Sequence, residues 1–193
     1  MKLDTLFRSP TRAWIAAIFF AAALSLSSYP PTESHAQGPH PSPSCRAPAD
    51  PREGLPFNEV ELPSTGGGTV RLPGPDDRIT IVAFWAAWCA ACRRELPAYD
   101  RISRRLSDQV RLVLVATDRE PAAASRVLRE IGVARPTLYR GMPVLQSFLH
   151  RELPFTVVVA DGRVSRVRSG FDPACERAFE EQLRELAARR RER

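Results

Sequence analysis

The chain has 193 residues, of which 44% are hydrophobic and 26% charged, and its formal net charge is +6. This length suits one domain of ordinary size with additions, and the apolar fraction is sufficient for a packed core. All but one of the 28 basic residues are arginine, a composition bias that indicates no function by itself. The only dense basic run, residues 189–193, is interpreted as the solvated end of a helix, with attraction to anionic lipid headgroups as the alternative.

The N-terminus has the pattern of an export signal. Three basic residues precede an apolar run of 14 residues, 13–26, which is short for a membrane span but suits the core of a signal peptide. We predict that residues 1–36 are a signal peptide cleaved after Ala36, with an uncleaved membrane anchor as the alternative. In both cases the following domain is exported, which excludes nucleic acid as a partner.

A linker and a hairpin are predicted next. Residues 37–54 contain five prolines and show no periodicity, which is typical of a linker. The domain itself is predicted over residues 55–190. It begins with two short strands, 57–62 and 69–72, that flank a glycine-rich turn.

The most informative stretch is a buried strand that leads directly into a helix. Residues 79–85 are apolar, β-branched and aromatic, as expected of a strand covered on both faces. Apolar residues then recur every three or four positions, which predicts a helix over about 90–107. Cys89 lies at the junction and Cys92 in the first helical turn. The unpaired N–H groups and the helix dipole favour a thiolate there, which predicts that Cys89 is a nucleophile and Cys92 its resolving partner.

A zinc site is the main structural alternative for these cysteines. Such a site needs a second cysteine pair or histidines, and the predicted domain has no second Cys-x-x-Cys and only one histidine, His150. A redox pair is therefore the preferred interpretation.

The remaining pattern predicts an α/β fold. A strand at 110–116 completes a parallel βαβ unit. The later predicted elements are a helix at 118–131, a short strand within 136–141, a short helix at 142–149, an antiparallel hairpin of 155–160 with 163–168, and a final helix capped by Asp172.

These motifs resemble the thioredoxin superfamily, and most closely its exported TlpA/ResA-like branch. The matching residues are AFWAAWCAACRREL, at 83–96, and Leu-Pro-Phe-Thr at 153–156. The resemblance covers residues 55–188. It implies a thioredoxin fold, with a central mixed β-sheet flanked by helices, an N-terminal β-hairpin and a central helical insertion over 117–152.

The resemblance also implies roles for individual residues. Pro154 would follow a cis peptide bond that exposes the backbone of Leu153 to an incoming peptide. Glu95 completes a Cys-x-x-Cys-x-x-Glu pattern and would accept the proton of Cys92; the alternative is a glutamate that only complements the helix dipole. Trp88, next to Cys89, is interpreted as an apolar lip for the substrate.

Two further cysteines leave their pairing open. Cys45 and Cys175 either form a structural disulfide across about 130 residues or, for Cys175, serve as a small apolar filler on the final helix.

The predicted function is thus that of a periplasmic thiol–disulfide oxidoreductase that reduces protein disulfides, with no cofactor and no metal. By resemblance, its clients would be apocytochrome c or a copper chaperone or copper site, and a membrane thiol carrier would re-reduce it. Ala90 and Ala91 replace a dipeptide that often contains proline in this family, so the direction of electron flow stays open. The alternatives are a disulfide-donating oxidase, a redox-silent interaction domain, and a copper carrier that uses Cys89, Cys92 and His150.

Overall fold

A five-stranded mixed sheet is the centre of the computed structural model, which describes Cys45, residues 48–170 and residues 172–193. The predicted signal segment 1–36 lies outside the described residues, as does most of the predicted linker. The elements in chain order are β1 Val60–Pro63, β2 Thr69–Leu72, β3 Ile79–Trp85, α1 Ala90–Arg105, β4 Val110–Ala116, α2 Pro121–Glu130, β5 Thr137–Leu138, α3 Met142–Ser147, β6 Phe155–Ala160, β7 Arg163–Ser169 and α4 Glu176–Arg191, with a 3₁₀ turn Pro173–Cys175 before α4.

The strand order is β5-β4-β3-β6-β7, and β1 and β2 form a separate two-stranded sheet. Strands β3, β4 and β5 run parallel, while β6 and β7 pair antiparallel. This arrangement, with its hairpin and its helical insertion, confirms the predicted thioredoxin fold.

Strand β3 is buried along its whole length because both faces of the sheet are covered. Its alternate residues enter two apolar clusters. The first cluster joins Ala83 and Trp85 to the cysteine pair and to residues of α1 and α4. The second joins Val82 and Phe84 to the hairpin and α3. The redox cysteines therefore lie in the layer between the sheet and helices α1 and α4.

Several element boundaries differ from the sequence-based ones. Helix α2 begins at Pro121 rather than at residue 118, because Glu120 precedes a proline and takes an extended conformation (φ −101°, ψ 116°). The short helix ends at Ser147, and Leu149 has a positive φ of 54°. The first strand begins at Val60, three residues later than predicted.

The C-terminal helix begins with the predicted cap. Asp172 Oδ1 accepts a hydrogen bond from the Ala174 N–H (2.9 Å), and the first turn is 3₁₀. At the other end, Arg190 and Arg193 both form ion pairs with Asp161 in the β6–β7 turn (2.6 and 3.1 Å). Part of the basic run is thus engaged within the domain. Within the described part of the chain, no helix has the length and apolar character needed to cross a membrane.

Candidate redox site at the start of helix α1

Cys89 is the N-cap residue of α1 (φ −81°, ψ 99°), and its Sγ accepts a hydrogen bond from the Cys92 N–H (3.1 Å). Its carbonyl accepts the first helical bond, from Arg93 N–H (3.2 Å). An anionic sulfur at this position receives a main-chain hydrogen bond and faces the positive end of the helix dipole. The backbone therefore stabilises a Cys89 thiolate once the pair is reduced.

The two cysteines are joined in a disulfide, with their Sγ atoms 2.11 Å apart. Cys89 is 5% exposed, whereas Cys92 is fully buried. Only Cys89 can therefore be approached from solvent, which matches its predicted role as the attacking sulfur.

The loop between β3 and Cys89 is held by a carboxylate from the end of β4. The Ala87 N–H donates to Asp118 Oδ2 (2.9 Å), and the Cys89 N–H donates to the Ala86 carbonyl (3.0 Å). These bonds set the backbone that leads to the nucleophile. Trp88, at the outer side of this loop, is 74% exposed. Sequence reasoning did not single out Asp118, since an acid after a strand has many roles.

We expect Asp118→Ala to loosen this loop. Loss of a charged acceptor of a main-chain N–H should lower the free energy of unfolding by about 1–2 kcal/mol and slow disulfide reduction several-fold. Asp118→Asn keeps an acceptor oxygen and serves as the matched control. Denaturant unfolding and a disulfide-reduction assay measure the two effects. Equal values for Asp118→Ala and wild type would show that the bond does not order the loop.

Leu153 and Pro154 lie at the same edge of the sheet as the cysteines. Phe84 of β3 pairs with Phe155 of β6, which places the preceding Leu153–Pro154 step beside the end of β3. Their peptide bond is cis, as the resemblance implies. Leu153 packs against the apolar cluster that contains Cys89, and among the described residues its main chain has no hydrogen-bond partner.

Glu95 is buried directly behind the cysteine pair. It lies one helical turn after Cys92, is only 1% exposed, and neither carboxylate oxygen has a hydrogen-bond partner within the described residues. Burial raises the pKa of Glu95 to about 8, against the opposing effect of Arg168. A carboxylate with such a pKa can exchange a proton near neutral pH. Ala83, on β3 beneath the helix, has no ionisable side chain and cannot exchange a proton.

Arg168 is, after Asp118, the second residue of this region that the sequence did not reveal. It is one of three arginines in β7, and nothing in the strand's sequence distinguishes it from Arg163 and Arg166, which are exposed. Arg168 is instead 7% exposed. Its burial follows from the packing of α4 over the sheet, which the local sequence does not encode.

Cys45 and Cys175 are joined in a second disulfide, with their Sγ atoms 2.09 Å apart across a separation of 130 residues. Both are buried against Ala178 of α4. This bond attaches the segment before the domain to the start of α4, apart from the Cys89–Cys92 pair.

His150 is not brought to the cysteines. Its ring stacks on Phe155 (4.2 Å between centroids), which belongs to the second apolar cluster, whereas Cys89 and Cys92 belong to the first. Over the described ranges, no group of three histidine, cysteine, aspartate or glutamate side chains is arranged to hold a metal ion. The structure thus gives no support to a copper site built from these three residues.

Comparison with known proteins agrees with this geometry. The family model for thioredoxin matches residues 74–139. The chain is 39% identical over 80 residues to thioredoxin 1 of Synechococcus elongatus (42% of this chain, 65% of that protein) and 32% identical over 85 residues to thioredoxin of Porphyra purpurea (44% and 70%). The chain thus spans less than two thirds of the Synechococcus protein's length. It belongs to the thioredoxin family.

A solved structure extends the likeness to a larger share of the chain. A putative thiol:disulfide interchange protein DsbE from Chlorobium tepidum superposes with a TM-score of 0.62 at 22% identity, covering 70% of this chain and 96% of that one. At this identity the likeness concerns the fold, and the chemistry of the site is argued from its own residues.

Proposed function

We propose that this protein is an exported thiol–disulfide oxidoreductase of the TlpA/ResA-like kind that reduces disulfides in client proteins. The observation that carries the proposal is the Cys89 sulfur at the N-cap of α1, hydrogen-bonded by the Cys92 N–H at 3.1 Å and backed by the buried Glu95. This arrangement supplies a stabilised nucleophile, a resolving thiol and a proton acceptor.

The reaction begins from the reduced pair. The Cys89 thiolate attacks one sulfur of the client disulfide, and the other client sulfur leaves as a thiolate that takes a proton from solvent. Glu95, in its ionised form, accepts the proton of Cys92. The Cys92 thiolate then attacks the Cys89 sulfur, and the second client sulfur leaves as a thiolate that takes a proton from Glu95 or solvent. Two electrons pass from the cysteine pair to the client, and the Cys89–Cys92 disulfide remains.

The client peptide would bind at the edge of the sheet. The Leu153 main chain, which lacks a hydrogen-bond partner among the described residues, can pair with an extended segment as an added strand. The exposed Trp88 would contact the side chains of that segment. These two proposed contacts would bring a client disulfide over Cys89 rather than over the buried Cys92.

Other observations support the proposed location of the protein and its proposed partners. The N-terminal pattern indicates export, and a buried structural disulfide between Cys45 and Cys175 persists in an oxidising compartment such as the periplasm. A reductant there needs a supply of electrons, for which we propose a membrane thiol carrier. We propose apocytochrome c or a copper chaperone as the client. The structurally similar Chlorobium protein is a putative thiol:disulfide interchange protein.

The reduction potential of the Cys89–Cys92 pair tests the direction of electron flow. Equilibration of the full chain with dithiothreitol or glutathione is expected to give a value at or below about −200 mV, in the range of thioredoxin and glutaredoxins. The Cys45→Ser/Cys175→Ser variant, measured alongside, shows which signal belongs to the redox pair, because that pair is then the only one present. A value near about −120 mV would instead make the protein a disulfide donor.

A further inference from the structure

Arg168 reaches the redox layer from β7, the edge strand of the sheet. It lies in β7 opposite Thr156 of β6, which lies opposite Ala83 of β3. Directly paired residues of antiparallel strands project to the same face of the sheet, and Ala83 belongs to the cluster beneath α1 and α4. The Arg168 side chain is therefore directed into the layer that contains Glu95 and the cysteines.

Two contacts fix the Arg168 guanidinium on its outer side. The guanidinium carbon lies 5.0 Å from the ring centroid of Phe179 in α4, a cation–π distance. Both terminal nitrogens also donate to the Cys45 carbonyl at 3.5 Å. Since the Cys45 sulfur is bonded to Cys175, the disulfide determines where this carbonyl lies.

Among the described residues, few charged groups face Glu95 in this layer. Tyr99, one turn further along α1, is buried, and burial together with Glu95 raises its pKa, so the phenol stays neutral. Helix α4 contributes Phe179 and Leu183, both apolar, to the same cluster. The Cys89–Cys92 disulfide carries no charge. Arg168 is the cation whose field lowers the Glu95 pKa, against the larger effect of burial.

We propose that Arg168 is a positioning residue of the redox site, held in place by the Cys45–Cys175 disulfide and Phe179 so that its charge favours the ionised form of Glu95. The proposal rests on the proposed role of Glu95 as proton acceptor. A buried carboxylate without a nearby cation would have a still higher pKa, so a smaller fraction of Glu95 would be ionised near neutral pH and able to take the Cys92 proton. The second disulfide thus has a part in the chemistry of the first.

The titration of Glu95 tests this directly. We would follow the side-chain carboxyl carbon of Glu95 by NMR against pH in the full chain with both disulfides formed, and assign the signal by its loss in Glu95→Gln. Arg168→Met, which keeps the length of the side chain and removes its charge, is expected to move the titration to higher pH. Arg168→Lys, which keeps the charge, should leave the titration near that of wild type.

Arg166→Met is the matched control on the same strand. Arg166 is exposed and pairs with Glu53 at 3.0 Å, so its loss should not affect the Glu95 titration. An unchanged or lower Glu95 titration in Arg168→Met would overturn the proposal, as would an equal shift in Arg166→Met. A shift in Arg168→Lys as large as that in Arg168→Met would show that packing, rather than charge, is responsible.

The part played by the disulfide has its own variant. Cys45→Ser/Cys175→Ser releases the Cys45 carbonyl from α4, and the Glu95 titration is expected to move in the same direction as in Arg168→Met. An unchanged Glu95 titration in this double variant would show that the disulfide is not needed to hold Arg168 in place. Because these titrations involve no turnover, they are independent of the disulfide-reduction assay, and a failure of the proposed function would be seen separately.

Discussion

Replacing Cys89 with serine is expected to abolish disulfide reduction, with a loss of at least about a thousandfold. Cys89 is the residue of the pair that is partly exposed, at 5%, whereas Cys92 is fully buried. Replacing Cys92 with serine leaves this nucleophile intact but removes the thiol that resolves the mixed disulfide. That variant should react once and remain covalently bound to its client.

The two outcomes are measured together. A disulfide-reduction assay reports turnover, and non-reducing electrophoresis with a disulfide-bearing protein reports the trapped species, which a reductant should release. Wild type, which keeps both redox cysteines, is the reference for both measurements. If Cys92→Ser turned over as wild type does, or if Cys89→Ser formed the trapped species instead, the assignment of attacking and resolving sulfurs would be wrong.

Glu95→Gln is expected to change how stability depends on pH. Burial raises the folded-state pKa of Glu95 to about 8, from 4.5. Between these values the unfolded chain releases the proton while the folded protein retains it, so the free energy of unfolding falls as pH rises. Integrated over that window, the contribution is about 4–5 kcal/mol. The variant does not titrate, and it should therefore gain stability relative to wild type from about pH 5 to pH 8.

Denaturant unfolding of the oxidised protein across this pH range measures the effect, because the cysteines do not titrate in that form. Glu181→Gln, at an exposed position of α4, is the matched control and should follow wild type. A difference between Glu95→Gln and wild type that stays constant with pH would mean that the pKa of Glu95 is not raised in the folded protein, and a carboxylate of ordinary pKa is too weak a base to take the proton of a thiol near neutrality.

Local patterns in the sequence were sufficient to predict the sheet and the cysteine pair. Strand β3 is apolar at every position because both its faces are covered, and β3, β4 and β6 lie at the predicted residues. The N-cap position of Cys89 follows from the change from strand to helix periodicity. These features are local, so a single sequence contains them.

The environment of Glu95 could be predicted only in part. Its spacing from Cys92 placed it on the same side of α1, but its complete burial depends on the packing of the helices over the sheet. Arg168 could not be predicted at all, because its burial depends on a residue pairing across strands and on α4, which follows later in the chain. Asp118 was assigned to a helix, whereas its carboxylate holds the loop before Cys89.

The attachment of Cys45 to Cys175 has a mechanical consequence. The bond closes a covalent loop that contains the entire sheet, across a sequence separation of 130 residues, and residue 45 lies within the predicted linker 37–54. A force applied to the chain before Cys45 can therefore be transmitted through the disulfide to the start of α4, without passing through the β1–β2 hairpin or the start of α1. A single backbone cleavage inside the loop would leave the two pieces joined.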